Sequence, residues 1–190
     1  KKIEAFTPAR IFFEKLPLTY NTEANCPAIK KFFTDVLKNG EEEHQLIAEL
    51  FGWLLKGRYY PAKIVICDGI GRNGKGVFFR LIKAFLGDKA CAAVRFETFT
   101  KDNFASAELF GKRANLFADT GGNLIKDTSL LKTLSGDDKT TAPRKFKTGL
   151  SFTNRAKLFF AFNDIPSVND TSFGYWNRQL YLSFPYRFLN

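Results

Sequence analysis

A glycine-rich segment directly after a short apolar run is the feature that most constrains the fold of this chain. The run is Ile64-Val65-Ile66-Cys67, and residues 69–75 read Gly-Ile-Gly-Arg-Asn-Gly-Lys. The spacing of Gly69, Gly74 and Lys75 matches the pattern G-x-x-x-x-G-K, found in loops that bind phosphate between a strand and a helix. The segment therefore predicts a strand, a tight loop and a helix, in that order.

The binding chemistry of such a loop comes mainly from its backbone. Successive N–H groups curl around a phosphate, and a Cβ at either glycine would obstruct them. The Lys75 ammonium adds charge toward the β- and γ-phosphates, and the next helix adds its N-terminal dipole. An apolar stripe from Val77 to Leu86, stopped by Gly87, predicts that helix. A glycine-rich turn in an ordinary α/β domain is the alternative. We expect ATP to bind through Gly69, Gly71, Arg72, Asn73, Gly74, Lys75, Gly76 and Val77.

The residue after the lysine departs from the usual pattern. Most loops of this type have a Ser or Thr there, whose hydroxyl binds Mg²⁺, whereas this chain has Gly76. Because Mg²⁺ usually keeps several of its waters, a water can replace that hydroxyl. We expect Mg²⁺ to accompany ATP.

The charge balance favours a nucleic-acid partner. The 190 residues are 45% hydrophobic, which indicates a globular chain, and 29 Lys and Arg against 19 Asp and Glu leave a net charge of +10. Clustered cations neutralise phosphates well, so a basic protein that binds ATP is typical of nucleic-acid enzymes. Solubility or a basic proteome is the alternative.

The cysteines and the histidine indicate the cellular compartment and limit the kinds of catalysis and metal binding that are open to the chain. Cys26, Cys67 and Cys91 lack metal-ligand spacing, and three unpaired thiols indicate a reducing, cytoplasmic interior of a host cell. His44 is the single histidine, which excludes histidine catalysis and zinc. No apolar run is long enough to span a membrane, so no membrane partner is expected. The chain starts at Lys1 without methionine, from which we expect a piece of a longer protein.

Residues 1–60 are predicted to form a helical accessory segment. Residues 1–25 have little period and are expected to be irregular. Apolar positions at helical spacing then predict one helix from about Pro27 to Leu37 and a second over residues 41–55.

Residues 61–190 are predicted to form an ATPase core. Strand-like and helix-like segments alternate, which favours an α/β fold with a mostly parallel sheet. Residues 140–153 interrupt the alternation, and Thr148-Gly149 within them predicts a β-hairpin with its turn there. The predicted strands are 62–67, 91–95, 114–118, 157–162 and 179–184, and the predicted helices are 102–110 and 126–135.

An acid follows the predicted strand 114–118. A carboxylate at the end of such a strand holds Mg²⁺ or its waters against the phosphates in nucleotide hydrolases, and Asp119 has this position. Many ATPases place a second acid next, to polarise the attacking water, but this chain has Thr120. Glu97 and Glu108, the nearest preceding acids, have no obvious placement for that role.

Two further polar residues are candidates for the ATPase site. Asn163 follows the strand 157–162 and could orient the water or contact the γ-phosphate, although a turn residue is the alternative. Arg178 precedes the last strand and could reach a neighbouring subunit's γ-phosphate, although local packing is the alternative.

The predicted hairpin lies in the most basic part of the chain. Residues 126–157 carry eight Lys or Arg against three Asp. Cations interleaved with an aromatic ring suit contact with a single-stranded backbone, and a solvated basic hairpin is the alternative. The predicted DNA contacts are Lys139, Arg144, Lys145, Phe146 and Lys147.

Taken in order, these segments resemble the superfamily three helicases, a branch of the AAA+ ATPases. Within that superfamily, the segments resemble more specifically the primase-helicase proteins of phages, archaeal plasmids and large DNA viruses of the poxvirus type. Asn-Gly-Lys-Gly is a familiar variant of that family's phosphate loop, and Asn177-Arg178 stands where the family has Arg-Arg. The other matching segments are 16–21 with 25–27, 111–119, 131–137 with 144–147, 157–166 and 184–188.

The resemblance implies an AAA+-like core that works as a hexameric ring on single-stranded DNA or a replication fork. Lys75 and the loop would hold ATP, Asp119 the Mg²⁺, and Asn163 would sense the γ-phosphate. Arg178 would reach in from the adjacent subunit, and Lys147 would lie near the tip of a DNA-tracking hairpin. It also implies a primase or polymerase domain elsewhere in the full-length chain.

A second interpretation is a DNA-binding module that binds nucleotide with little or no hydrolysis. Gly76 and Thr120 motivate it, because each replaces an expected metal or water ligand. A P-loop kinase of a small substrate is disfavoured, because it predicts an arginine-rich lid and no basic hairpin.

Overall fold

A parallel five-stranded sheet forms the centre of the molecule. A computed structural model describes residues 7–9, 11, 15–38, 40–118, 125–144 and 147–189, with the backbone alone at 100, 101, 103, 144, 147 and 148. The strands are β1 (Ile64–Asp68), β2 (Cys91–Ala92), β3 (Ala114–Ala118), β4 (Lys139–Arg144), β5 (Lys147–Thr153), β6 (Lys157–Phe162) and β7 (Gln179–Ser183). The sheet has the order β2-β3-β6-β1-β7 with every pair parallel, and β4 and β5 form a separate antiparallel hairpin.

The apolar runs become central strands because helices cover both faces of the sheet. Every residue of β6 is buried, as are the first four of β1. Strands buried on both sides have apolar residues in succession instead of in alternation. The helices are α1 (Pro27–Val36), α2 (Glu41–Leu54), α3 (Lys75–Leu86), α4 (Thr98–Lys101), α5 (Ser129–Ser135) and α6 (Phe173–Trp176), with 3₁₀ helices at Asp88–Ala90 and Asn103–Leu109.

The two N-terminal helices share the core of the sheet domain. Phe33 of α1 and Phe51 of α2 both pack edge-on against Phe78 of α3, with ring centroids 5.9 and 6.5 Å away. Three glutamates in the first turn of α2 suit the positive end of its dipole. The division at residue 60 stays a prediction, and the helices themselves match the predicted periodicity.

A buried lysine attaches the segment after α2 to the sheet. Lys157 is fully buried at the start of β6. Its Nζ donates to the carbonyls of Lys56 at 2.7 Å, Arg58 at 3.1 Å and Arg155 at 3.0 Å. The ammonium also lies 5.8 Å from the ring centroid of Trp53. Three carbonyl acceptors and an aromatic face compensate a charge that has left water.

The predicted fold class, α/β with a mostly parallel sheet and an inserted hairpin, is confirmed. The predicted strand 91–95 is wrong beyond Ala92. Asn115 explains this, because its side-chain amide accepts from the Val94 N–H at 2.7 Å and donates to the Val94 carbonyl at 2.9 Å. The backbone of Val94 is thus satisfied by a side chain instead of a neighbouring strand.

Three other predictions need correction. Residues 103–109 form a 3₁₀ helix, which starts where the Asp102 carboxylate accepts the Phe104 N–H at 2.8 Å. Helix α5 begins at Ser129, because Asp127 makes a local turn by accepting the Ser129 N–H at 2.8 Å. Thr148-Gly149 lies within β5 and is not the turn, because Arg144 and Lys147 still pair directly at the far end of the hairpin.

No helix in the described ranges combines the length and apolar character that crossing a membrane requires.

Lys157 makes the free energy of unfolding depend on pH in the alkaline range. Burial, followed by the charge of Arg113, lowers the pKa of Lys157 from 10.5 to about 8. Between these values the unfolded chain binds more protons than the folded chain, so rising pH stabilises the folded state. We expect the free energy of unfolding of the wild type, minus that of Lys157→Met, to increase as the pH rises from 8 toward 10.5. Urea denaturation measures it, and a difference that stays constant with pH would contradict the assignment.

Candidate nucleotide-binding site

The loop of residues 69–74 joins β1 to α3 at the carboxyl edge of the sheet. Its backbone has positive φ at Gly69 (144°), Gly71 (85°), Arg72 (50°) and Gly74 (97°). Residues with a Cβ rarely adopt most of these positive φ values, and atoms packed close to the loop add to the requirement for glycine. A Cβ at Gly74 would lie 2.8 Å from Cγ1 of Val36, so α1 packs against the loop that it precedes. The conformation is that of a backbone cradle closed from outside by the N-terminal helices.

Lys75, the first residue of α3, turns its side chain back across this loop. It is 7% exposed, and its Nζ donates to the Gly69 carbonyl. The same Nζ lies 3.3 Å from Oδ1 of Asn163. Burial lowers the pKa of Lys75, while the charge of Asp68 opposes that shift. A cation held by neutral oxygens can exchange them for the oxygens of a phosphate.

Asn163 reaches the loop because of the strand register. Asp68, the last residue of β1, pairs with Phe162, the last residue of β6. The residues that follow therefore leave the sheet side by side, and a Cβ at Gly71 would lie 4.0 Å from Oδ1 of Asn163. The structure brings together the predicted phosphate lysine and the predicted sensor amide.

The side chain of Asn73 braces the loop from within. It is 3% exposed, and its Nδ2 donates to the carbonyl of Phe184 at 3.1 Å. The carbonyl of Arg72 accepts the N–H of Phe188 at 2.9 Å. The loop is thus tied to the chain that follows β7. Because its side chain is engaged there, Asn73 would make the predicted phosphate contact through its backbone.

Asp68 is a site residue that the sequence reasoning missed. Its Oδ2 accepts a hydrogen bond from the Ser183 hydroxyl at 3.2 Å, and its carbonyl accepts the N–H of Phe184 at 2.9 Å. The carboxylate stands at the mouth of the loop, close enough to affect the pKa of Lys75. The rule that selected Asp119, a carboxylate directly after an apolar run, applies equally to Asp68.

The surroundings of Gly76 leave room for a hydroxyl. A Cβ built there has Nη1 of Arg80 as its nearest neighbour, at 3.8 Å, and no positive φ opposes a side chain. Within the described ranges, no three His, Cys, Asp or Glu side chains lie close enough together to hold a metal ion. The predicted metal ligand Asp119 and its neighbour Thr120 lie outside the described residues. The strand that precedes them is in place, since Ala118 pairs with Ala161 of β6.

Arg178 lies at the opposite edge of the sheet from its own phosphate loop. Its carbonyl accepts the N–H of Ile64, the first residue of β1, at 2.7 Å. The length of β1, about 13 Å at 3.3 Å per residue, separates it from the loop. Its Nη1 donates to the Gly174 carbonyl, and its buried Nε meets no hydrogen-bond partner among the described residues. This placement excludes contact with the nucleotide of the same chain.

The predicted DNA-binding residues are divided between the two ends of the hairpin. Lys139 is exposed at the base, where it pairs with Thr153. The backbones of Arg144 and Lys147 pair at the far end, after a register irregularity that begins at Ala142. Lys145 and Phe146 lie outside the described residues.

Two curated viral proteins are similar in sequence. The chain is 25% identical over 163 residues to "Putative helicase L207/L206" of Acanthamoeba polyphaga mimivirus, and the match covers 83% of this chain and 17% of that protein. It is 25% identical over 200 residues to "Putative helicase V13" of Sputnik virophage, with coverage of 98% and 25%. The chain thus spans a quarter or less of the length of these relatives.

Solved structures share the fold. The NrS-1 C-terminal region aligns with a TM-score of 0.64 at 17% identity, over 85% of this chain and 38% of that one. A JCV helicase with a bound small molecule aligns with a TM-score of 0.54 at 15% identity, over 82% and 44%. At these identities the likeness concerns the fold alone.

A family model matches residues 67–178, from the end of β1 to the arginine before β7. That range is more than half of the chain and contains the phosphate loop, the hairpin, Asn163 and Arg178. The chain belongs to DUF5906, a family of unknown function.

Proposed function

We propose that this chain is the ATPase core of a DNA helicase of the superfamily three type. The observation that carries the proposal is the meeting of Lys75 and Asn163, 3.3 Å apart, over a glycine-rich loop at the carboxyl edge of a parallel sheet. Ligands of open α/β sheets bind at this edge. The similarity to viral proteins named as helicases gives independent support.

The loop residues fit ATP. The backbone N–H groups of residues 69–77 would surround the β-phosphate, and the Lys75 ammonium would exchange the Gly69 carbonyl for phosphate oxygens. Asn163 would contact the γ-phosphate through its amide. Mg²⁺ bound with ATP supplies charge neutralisation between the β- and γ-phosphates, and Asp119 is the residue that we assign to it.

The ring is proposed from the position of Arg178. An arginine at the edge remote from its own loop can complete a site only on another subunit. A head-to-tail interface with rotational closure gives a ring, and we propose a hexamer. Within the ring, the hairpin with Lys139, Arg144, Lys145, Phe146 and Lys147 would contact single-stranded DNA at a fork.

The rest of the full-length protein is also part of the proposal. Because the similar viral proteins are several times longer than this chain, we propose that a primase or polymerase domain accompanies it. Replication of a viral or mobile genome in the interior of the host cell is the setting that fits these relatives.

The second candidate is a DNA-binding module that binds ATP with little or no hydrolysis. Gly76 favours it, because the chain lacks a hydroxyl where most phosphate loops bind the metal. Measured turnover decides between the two functions.

Lys75→Ala should abolish ATP hydrolysis while the chain stays folded, because the phosphates lose their principal cation. We expect turnover, measured by phosphate release with and without single-stranded DNA over a protein concentration series, to fall about 100-fold or more. Lys83→Ala is the matched control, since it removes an exposed lysine from the same helix. Undiminished turnover in Lys75→Ala would overturn the site, and an inactive wild type would favour the second candidate.

Gly76→Ser should lower the Mg²⁺ concentration that gives half-maximal ATP hydrolysis. The serine hydroxyl would replace a water in the metal shell, and the space around Cβ admits it without displacing backbone. Gly76→Ala is the control, because it adds the same Cβ without the hydroxyl. Equal Mg²⁺ dependence in the serine and alanine variants would show that position 76 does not face the metal.

Arg178→Ala and Lys75→Ala should each be inactive alone and regain activity when mixed. A site that joins Lys75 of the first variant to Arg178 of the second is complete, and in an equal mixture roughly a quarter of interfaces are of this kind. Mixing Lys75→Ala with the double variant Lys75→Ala/Arg178→Ala is the control and should stay inactive. Wild-type turnover in Arg178→Ala alone would remove this residue from the site.

A further inference from the structure

Two aromatic rings are exposed on the short helix that leads to Arg178. Phe173, the first residue of α6, is 81% exposed, and Trp176, the last residue, is half-exposed. A ring that stays in water contributes little to the stability of its own subunit, because the hydrophobic gain comes from burial. Large apolar side chains that are exposed side by side mark surfaces where another molecule binds. We call Phe173 and Trp176 the α6 patch.

The α6 patch is held in a fixed position by its own segment. The indole Nε1 of Trp176 donates to the carbonyl of Asp170 at 2.8 Å. The indole ring packs edge-on against the buried Tyr175, with ring centroids 5.3 Å apart. Ser172 caps the helix, since its Oγ accepts the N–H of Tyr175 at 3.4 Å. A surface fixed in this way loses little conformational entropy when a partner covers it.

Arg178 lies against the same helix. Its Nη1 donates to the carbonyl of Gly174, which separates Phe173 from Tyr175 in the sequence. A Cβ at Gly174 would lie 3.7 Å from that Nη1, so the guanidinium is in contact with the backbone of α6. A molecule that meets Arg178 therefore meets the exposed rings as well. Trp and Arg are the side chains most often found to dominate the binding energy of protein interfaces.

A second group of exposed apolar side chains surrounds the phosphate loop. Ile70, within the loop, is 70% exposed. Phe188 is half-exposed, and its N–H is bound to the loop at the carbonyl of Arg72, at 2.9 Å. Tyr186, two residues earlier, is half-exposed too. We call Ile70, Tyr186 and Phe188 the loop patch, which lies at the rim of the proposed ATP site.

The two patches fit a contact between copies of this chain. Both are exposed in the single subunit, so they do not cover each other within it. In the proposed function, Arg178 reaches the nucleotide of another subunit, which brings the α6 patch to the loop patch of that neighbour. A contact between different patches on the two partners is heterologous, the kind that closes into a ring.

We propose that the α6 patch is the apolar part of a head-to-tail interface, in which Phe173 of one subunit packs on Ile70 of the next. Trp176 lies at the border of this contact, and Arg178 extends from it toward the neighbour's nucleotide. The inference rests on the proposed function, because it needs Arg178 to act on another subunit.

The test compares the wild type with Phe173→Ser, Ile70→Ser and the double variant, by sedimentation velocity with ATP and Mg²⁺ over a protein concentration series. Each single variant should raise the concentration of half-maximal assembly about tenfold, because an apolar anchor of the interface is lost. The double variant should assemble about as well as either single variant, since both changes remove the same contact. Phe173→Ser should stay folded, because its side chain is already in water.

Tyr20→Ser is the matched control, because it removes a ring that is 73% exposed from the segment before α1. A Phe173→Ser variant that assembles as this control does overturns the inference. If the effects of the two single variants multiply in the double variant, Phe173 and Ile70 do not meet, and the inference fails. A Phe173→Ser variant that assembles normally but has lost affinity for an oligo-dT strand would assign the α6 patch to nucleic acid and overturn the inference as well.

The mixture of Arg178→Ala with Lys75→Ala separates this inference from the proposed function. If the mixture regains ATP hydrolysis while Phe173→Ser assembles as the control does, the inference fails and the proposed ring stands. If the wild type sediments as a monomer at every concentration and the mixture stays inactive, the proposed ring fails and the inference fails with it.

Discussion

The parallel pairing of β1 with β6 on one side and β7 on the other positions every part of the candidate nucleotide site. Asp68 pairs with Phe162 and with Ser183, so three chain segments leave the sheet at the same level. The first becomes the glycine-rich loop, the second carries Asn163, and the third supplies the backbone that binds Asn73. A shift of one residue in the pairing of β1 with β6 would separate Lys75 from Asn163 by about 3.3 Å more, which exceeds hydrogen-bond reach. The apolar side chains that bury both strands on two faces maintain this register.

The two edges of the sheet have different chemistry. The carboxyl edge presents backbone N–H groups and one buried cation, an arrangement suited to a compact, multiply charged phosphate chain. The amino edge presents cations on separate segments around an open cavity, which is lined by Lys56, Lys112, Arg113 and Arg155. Arg178 belongs to the amino edge by position and to nucleotide chemistry by its proposed role. If Arg178 has the role that we propose, a subunit with this layout has to meet its neighbour edge to edge before the ATPase site is complete.

Much of the fold could be predicted because its strongest determinants are local. In an α/β chain, apolar runs such as 64–67 and 158–162 form buried central strands. The loop between Gly69 and Lys75 is defined by the spacing of its glycines and lysine. The end of β2 could not be predicted, because it depends on the two hydrogen bonds between the backbone of Val94 and the side chain of Asn115, a residue distant in sequence. Asp68 was within reach of the same reasoning that selected Asp119. The cavity at the amino edge was not, since Lys56, Arg113 and Arg155 become neighbours only when two strand starts and the segment after α2 come together.

One carboxylate links the hairpin to the arginine segment. Asp170 accepts hydrogen bonds from Thr128, from Lys132 at 2.9 Å and from the N–H of Ser172 at 2.8 Å. Hydrogen bonds from Ser172, Thr128 and Lys132 hold the pKa of Asp170 well below its usual range, so the carboxylate stays charged at neutral pH. Lys132 belongs to α5, which leads into β4, and Ser172 caps α6, which leads to Arg178. A displacement of the hairpin base relative to Arg178 would have to break these charge-assisted bonds. In the function that we propose, strand contact and subunit contact would be made by segments that these bonds hold together, which is the mechanical condition for coupling one to the other.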